Sequence, residues 1–141
     1  MTLGKADLEK SVLTKWGFMY RYDKDFRKVR NKIEGVGGEI QAAEYLKSKK
    51  YKILEQNYTN RLGEIDIIAL DKKTIVFVEV KKRSTFQYGR PIEAVDERKQ
   101  QKIKKVAEFY LMINKKYEAD VRFDVIEIME DKVNHEIDAF R

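Results

Sequence analysis

Residues 64–81 read EIDIIALDKKTIVFVEVK, two runs of apolar and β-branched residues separated by a short charged stretch. Such runs favour β-strands, and a turn at residues 72–73 joins them as an antiparallel hairpin. Loops of two or of four residues around this turn give the same register, which places Asp66 opposite Glu79. A three-residue loop would shift the pairing, and the Lys-Lys pair lacks the Asn-Gly chemistry of a tight hairpin.

The predicted hairpin has two unlike faces, because side chains alternate across a strand. One face is wholly apolar and carries Ile65, Ile67, Ala69, Val76, Val78 and Val80. The other is apolar near the turn and charged at the open end, with Ile68, Leu70, Ile75 and Phe77 followed by Glu64, Asp66, Glu79 and Lys81. A plain amphipathic strand pair would not change character in this way.

The charged end of the hairpin is a candidate metal site. Carboxylates that face each other across two strands repel, so Asp66 and Glu79 need a cation. Mg²⁺ and Mn²⁺ take oxygen ligands, commonly one or two carboxylates with water and substrate phosphate. Lys81 could steer a water or stabilise charge on phosphate; alternatively it neutralises Glu64 or Glu79 in an ordinary ion-pair network.

Gly63–Ile68 and Val76–Arg83 resemble the signature of the bacterial YraN (UPF0102) family, which is similar to archaeal Holliday junction resolvases and restriction-endonuclease-like nucleases. Those nucleases carry an Asp and then Glu-x-Lys on adjacent strands, and this chain has Asp66 and then Glu79–Lys81. Further matching motifs follow the same order within residues 35–141: Gly38-Glu39, Asn57-Tyr58, Ala94-Val95-Asp96 with Lys99, Arg122-Phe123-Asp124-Val125 and Ala139-Phe140. Several dispersed motifs are more specific than Glu-x-Lys alone.

The resemblance implies an α/β, restriction-endonuclease-like three-layer fold with a central mixed sheet, an α-β-β-β-α-β core and an N-terminal helical extension. It also implies a Mg²⁺- or Mn²⁺-dependent endonuclease that hydrolyses DNA phosphodiester bonds, with branched recombination or repair intermediates among the candidate substrates. RNA remains an alternative substrate. A homodimer is a further expectation, because a four-way junction needs two cuts.

The same resemblance assigns roles to individual residues. Asp66 and Glu79 would hold the metal, with the Val80 carbonyl as a third oxygen and Lys81 orienting or activating the attacking water. Glu39 would be a direct or outer ligand, because the first-helix glutamate of the related nucleases approaches the metal. The alternative for Glu39 is that it complements the positive end of its helix dipole.

Cationic and aromatic residues after the hairpin are the candidate nucleic-acid contacts. Phosphate contacts are predicted for cations and base stacking for an aromatic ring; the set is Lys82, Arg83, Tyr88 (or Phe86), Arg90, Arg98 and Lys99. The resemblance would turn Lys99 toward the scissile phosphate, whereas the alternative has it snorkel past the core edge. The segment 82–91 is otherwise an ordinary connection whose aromatics pack on the core.

Hydrophobic periodicity predicts the remaining elements. A helix from Gly38 to Lys49 carries Ile40, Ala43, Leu46 and Lys47 on one face, with Glu39 projecting between Ala43 and Leu46. The other predictions are a first strand over Tyr51–Asn57, a helix from Ile92 or Asp96 to Asn114 with a stripe of Val95, Ile103, Val106, Ala107 and Tyr110, and a last strand over Val121–Met129, parallel to the central one.

Composition indicates one domain of 141 residues that favours polyanions, with 30 Lys and Arg against 24 Asp and Glu, a net charge of +6 and a pI near 9.3. Residues 1–34 hold nine of the cations and five of the acids, so this basic helical extension precedes the nuclease-like domain, residues 35–141. The extension is interpreted as a packing or dimerisation element or as a nucleic-acid contact. The absence of cysteine excludes disulfide and thiolate sites, and with no membrane-spanning run and no signal-peptide core the expected location is the cytoplasm.

Other classes of function fit the residues less well. The single histidine, His135, has no nucleophile motif attached and is interpreted as structural. The glycines near residue 37 lack the Lys-Ser/Thr of a phosphate-binding loop. The main alternatives are a non-catalytic nucleic-acid-binding module of the same fold and a protein-interaction domain whose charge network is structural.

Overall fold

The computed structural model describes residues 37–83 and 89–141. The predicted helical extension, residues 1–34, lies outside this range, as do Phe86 and Tyr88. Among the described residues, no helix combines the length and the apolar content needed to span a membrane.

The elements follow the predicted order, with one strand added at the end. They are α1 (37–48), β1 (Lys52–Asn60), β2 (Gly63–Asp71), β3 (Thr74–Lys82), a 3₁₀ turn (Pro91–Ala94), α2 (Glu97–Ile113), β4 (Asp120–Met129) and β5 (Lys132–Phe140). The strands form one mixed sheet in the order β1-β2-β3-β4-β5. Only β3 and β4 are parallel, because α2 crosses between them.

The predicted hairpin register is confirmed. Asp71 pairs with Thr74, Ile68 with Phe77 and Ile67 with Val78. The two-residue turn works without glycine because Lys72 adopts a left-handed φ of 56°.

Two apolar clusters, one on each face of the sheet, make the protein three-layered. The first packs against α2 and contains Ile65, Ile68, Ile75, Phe77, Val95, Ile103, Val106, Ala107, Tyr110, Val125 and Phe140. The second packs against α1 and contains Ala42, Ala43, Leu46, Tyr51, Ile67, Ala69, Val76, Val78, Ile126 and Ile128. The predicted core stripe of α2 is therefore confirmed, and the restriction-endonuclease-like layering is the observed fold.

The predicted face of α1 was wrong in part. Ile40 is 56% exposed and Lys47 is also exposed, whereas Ala42, Ala43 and Leu46 are buried. Ile40 and Leu46 are six residues apart, a separation of about 120° around the helix axis, so they do not share one face. The buried face instead continues through Ala43 and Ala42 to Glu39.

Strand β5 was not predicted, because its sequence does not alternate cleanly. It reads KVNHEIDAF, and Ile137 is 54% exposed. A bulge interrupts its pairing with β4 between Phe123 and Val125, and Asp138 has a left-handed φ of 54°. Contacts from elsewhere in the fold place this strand, including the bond from Asp138 N–H to Asp124 Oδ1 at 3.0 Å.

Candidate active site

Strands β2 and β3 separate at the charged end of the hairpin. Their ladder ends at the pair Ile67 and Val78, beyond which residues 63–65 of β2 pair with β1 and residues 79–82 of β3 pair with β4. We call the space between residues 63–66 and residues 79–82 the fork. The backbone ladder thus stops short of the expected pairs Asp66–Glu79 and Glu64–Lys81, because each strand follows its outer neighbour.

The Asp66 side chain fills the position that strand pairing leaves open. Its Oδ2 accepts a hydrogen bond from the Val80 N–H at 2.7 Å. The N–H and C=O of one strand residue face the same neighbouring strand, so the Val80 carbonyl also faces the fork. Asp66 and Val80, both predicted ligands, are therefore brought together.

A local kink aims Asp66 into the fork. The β1–β2 ladder passes from Gln56–Ile67 to Tyr58–Ile65 without a pair at Asn57 and Asp66, and Asn57 has a left-handed φ of 51°. Ile65 consequently packs in the α2-side cluster, while Ile67 packs in the α1-side cluster. The expectation that Ile65 shares the face of Ile67 was wrong, because strict alternation fails at this kink.

Glu79 is the most buried acid of the fork, at 6% exposure, and two lysines approach it. Lys81 Nζ lies 3.7 Å and Lys99 Nζ 3.8 Å from Glu79 Oε1. Lys99 reaches the fork from the first turn of α2, where the Asp96 side chain caps the helix by accepting from the Lys99 N–H at 2.8 Å. Glu79 therefore lies beside both predicted lysines.

Glu39 enters from the opposite layer, on the buried face of α1. Its Oε2 is buried and has no hydrogen-bond partner among the described residues. Burial raises the pKa of Glu39 to about 7, and the charge of Asp66 and hydrogen bonding to it add to the rise. Hydrogen bonding to Asn57 acts in the opposite direction.

Like Glu39, the carboxyl groups of Asp66 and Glu79 resist ionisation. Burial, followed by the charge of Asp66, raises the pKa of Glu79 to about 7, although Lys99 and Lys81 act against the rise. Burial also raises the pKa of Asp66, while the Val80 N–H acts to lower it. A cation bound in the fork would displace protons from Glu79 and Glu39, whose pKa values are about 7.

The donors present suit a hard cation that retains water. They are the carboxyl oxygens of Asp66, Glu79 and Glu39 with the Val80 carbonyl, an all-oxygen set of the kind that Mg²⁺ and Mn²⁺ prefer. Within residues 37–83 and 89–141, no three acidic or histidine side chains converge tightly enough to enclose a metal by themselves. Two carboxylates completed by water and phosphate are nevertheless a usual Mg²⁺ arrangement, so the fork fits the predicted metal.

The family model described as "Uncharacterised protein family UPF0102" matches residues 38–128, which contain the whole fork. This chain belongs to the UPF0102 family. Similar UPF0102 proteins include one from Alkaliphilus oremlandii, 51% identical over 78% of this chain and 99% of the relative. Others are from Caldanaerobacter subterraneus, 48% identical over 81% and 99%, and Clostridioides difficile, 46% identical over 79% and 100%.

The predicted nucleic-acid contacts of this UPF0102 protein differ in how freely they can bind phosphate. Lys82 and Arg98 are exposed. Arg83 Nε lies 3.1 Å from the buried Glu127, and Arg90 pairs with Glu136, so both arginines are already engaged by acids of the sheet. Tyr88 lies outside the described residues.

Asn57 is a functional candidate that sequence reasoning did not assign a role. It sits at the kink opposite Asp66, and its side chain acts to lower the pKa of Glu39. The available signal was its residue type, since asparagine tolerates the left-handed conformation better than most residues.

A second buried polar cluster, which contains His135, lies near the fork on the α1 side. We call Tyr51, Arg122, Asp124 and His135 the buried network. Asp124 is fully buried and accepts bonds from His135 Nε2 at 2.7 Å and from Arg122 Nε at 2.9 Å and Nη2 at 3.0 Å. Burial would raise the pKa of Asp124, but these bonds and the Asp138 N–H lower it below its usual value.

Proposed function

We propose that this UPF0102 protein is a metal-dependent endonuclease that hydrolyses phosphodiester bonds in DNA. The observation that carries the proposal is the convergence of Asp66 and Glu79 at the point where their strands separate. Burial and mutual charge oppose ionisation of these acids, which is a costly arrangement unless a cation joins them. Perturbed carboxyl groups of this kind concentrate at functional sites.

In the proposed site, Asp66, Glu79 and the Val80 carbonyl hold one Mg²⁺ or Mn²⁺, and Glu39 is an outer or additional ligand. A divalent ion bound there would supply Lewis-acid stabilisation of phosphate and a more acidic water. Asp66 is fixed by the Val80 N–H bond, so the ligands are oriented before substrate arrives.

In this proposal, Lys81 and Lys99 stabilise the negative charge that develops on the phosphate in the transition state. The Lys81 side chain is 40% exposed and its Nζ lies beside Glu79, so it can reach both a water and a substrate oxygen. Lys99 is 34% exposed and approaches Glu79 from α2. An ammonium group placed where phosphate charge grows stabilises the transition state by a few kcal/mol.

Cleavage of labelled duplex, single-stranded and four-way-junction DNA tests the proposal. The purified full chain is incubated with Mg²⁺, Mn²⁺ or EDTA, beside Asp66→Asn, Glu79→Gln and Lys81→Ala. We expect cutting only with metal, and a loss of at least about 100-fold in each variant.

The matched control for this assay is Glu118→Gln, which neutralises an exposed acid outside the fork and should leave the rate unchanged. Cutting that persists in EDTA, or in Glu79→Gln, would refute the assignment.

One observation favours a second candidate, a nucleic-acid-binding module without turnover. Lys81 and Lys99 already lie close to Glu79, so this acid has counter-charges without a metal. In that case DNA binding should survive with no cutting under any metal, and divalent ions should not change the thermal stability of the protein.

A further inference from the structure

A basic cleft lies between the tip of the β1–β2 hairpin and α2. Its volume is about 560 Å³ and its lining residues are Arg61, Leu62, Arg98, Gln101, Lys102 and Lys105. Four of these six side chains are cationic and none is acidic. Among the described residues no carboxylate forms an ion pair with any of the four cations, so their mutual repulsion favours an anionic ligand.

The sequence builds the α2 wall of this cleft by helical spacing. Residues 98, 101, 102 and 105 recur at three- and four-residue intervals and therefore share one flank of the helix. All four side chains are exposed, whereas Val106 on the neighbouring face is buried. The cations consequently border the core without entering it.

Glycine at position 63 lets the hairpin tip form the opposite wall. Gly63 has φ +147°, and a Cβ there would lie 3.1 Å from Lys102 Cε and 3.2 Å from Val106 Cγ2. A side chain there would crowd Lys102 and Val106 and would be strained at this positive φ, so glycine permits the close approach of the hairpin to α2. Arg61 is also held in place, with its guanidinium carbon 5.9 Å from the centre of the Phe109 ring.

The cleft begins close to the fork and leads away from it. Gly63 precedes Asp66 by three strand residues, about 10 Å, and Lys102 follows Lys99 by nearly one helical turn. From Arg98 to Lys105 the helix rises about 10 Å. On one strand of duplex DNA that distance corresponds to about three nucleotides.

We infer that the basic cleft binds the phosphate backbone of a duplex DNA arm on one side of the phosphodiester bond that enters the fork. Arg61, Lys102 and Lys105 are then phosphate contacts that position the DNA, together with Arg98. The inference rests on the proposed function, since it assigns the cleft to the same DNA that the fork cuts. A linear row of cations that ends at an acidic fork suits a polyanion with evenly spaced charges.

The test measures DNA binding without cleavage. A fluorescent 20-base-pair duplex is titrated with the full chain in EDTA at several KCl concentrations. The cleft variant is Arg61→Gln/Lys102→Gln/Lys105→Gln. The matched control, Lys72→Gln/Lys73→Gln/Lys116→Gln, removes the same three charges from exposed positions outside the cleft.

The slope of log K against log salt should fall by about 2.7 in the cleft variant, because each lost duplex phosphate contact removes about 0.9. We expect the control to change the slope by less than about 0.5. Equal losses in the two variants, or no loss in either, would overturn the inference. Absence of duplex binding by the unmodified protein at low salt would also overturn it.

Because the triple variant could misfold, a single substitution at an exposed residue provides a second test of the cleft. Lys105→Gln should reduce the slope by about 0.9 with an unchanged unfolding temperature, and an unchanged slope counts against the cleft.

The two proposals fail separately. Binding that depends on the cleft, with no cutting under any metal, refutes the nuclease alone. Metal-dependent cutting with normal binding by the cleft variant refutes the cleft alone.

Discussion

The fork and the buried network place acids at neighbouring positions of the same sheet, yet they satisfy those acids very differently. Val78–Asp124 and Glu79–Val125 are consecutive pairs of the β3–β4 ladder. Asp124 accepts bonds from two side chains and a backbone N–H, and its pKa is lowered. Glu79 has two lysines at 3.7 and 3.8 Å and an acidic neighbour, and its pKa is raised to about 7.

This difference in bonding partners and pKa distinguishes acids that stabilise the fold from acids that are suited to bind a ligand. A buried polar network in which every member is satisfied stabilises the fold, whereas an incompletely satisfied one is costly. Asp124 ties β4 to β5 through His135 and the Asp138 N–H. The fork leaves Glu39 Oε2 without a partner in the described part of the chain, as expected for a site completed by a bound ion.

The largest expected effect is on stability, and it should divide the two regions. Asp124→Asn weakens the charge-assisted bonds that Arg122, His135 and the Asp138 N–H make to a buried carboxylate, although Asp71 still pairs with Arg122 at 3.0 Å, and should lower the free energy of unfolding by about 3 kcal/mol. Glu79→Gln removes a charge that the fold opposes, so it should not lower the free energy of unfolding at neutral pH and should raise it by up to about 2 kcal/mol. Urea unfolding at neutral pH measures both, and similar losses in the two variants would erase the distinction between the regions.

The next effect is a pH dependence of opposite sign in the two regions. Glu79 has an ordinary pKa of 4.5 and a folded value of about 7. Between these two pKa values the folded protein binds more protons than the unfolded chain, so the free energy of unfolding falls as the pH rises. Asp124, with a lowered pKa, gives stability that is present above its ordinary value and is lost on acidification.

As the pH rises from about 5 to about 8 without metal, ionisation of Glu79 should therefore lower the free energy of unfolding by on the order of 2 kcal/mol. Glu79→Gln should reduce this decline, while Lys73→Gln, a change at an exposed position outside the fork, should leave its slope in place. A decline that is equally steep in Glu79→Gln would show that Glu79 ionises normally.

The smallest effect concerns the kink that aims Asp66. Asn57→Ala forces a side chain with a Cβ and no local hydrogen bond into a left-handed conformation, and should cost about 1 kcal/mol. Asn57→Gly adopts that conformation freely and should stay within about 0.5 kcal/mol of the parent protein. Thermal unfolding compares the two, and the reverse order would mean that the kink does not depend on residue 57.

Local patterns in the sequence predicted much of the fold. The β2–β3 register follows from the turn at Lys72 and from alternation, both of which involve adjacent residues. The parallel placement of β4 follows from the α2 crossover. The helical extension, residues 1–34, lies outside the described residues and stays a prediction.

The parts of the site that sequence could not predict depend on distant partners. The fork opens because β2 follows β1 and β3 follows β4, which no single strand encodes. Arg83 and Arg90 looked available for phosphate, but Glu127 and Glu136 engage them from strands more than 40 residues away in the chain. The basic cleft needed the hairpin tip and α2 to meet at Gly63.

Mn²⁺ binding to the purified full chain, measured by titration calorimetry near pH 7 in buffers of different ionisation enthalpy, tests the fork most directly. We expect one ion per chain with release of protons from Glu79 and Glu39, whose pKa values are about 7. Asp66→Asn and Glu79→Gln should abolish that binding, and Glu118→Gln should retain it. Binding of no ion, or of one ion with equal affinity in Asp66→Asn, would contradict the fork as a metal site.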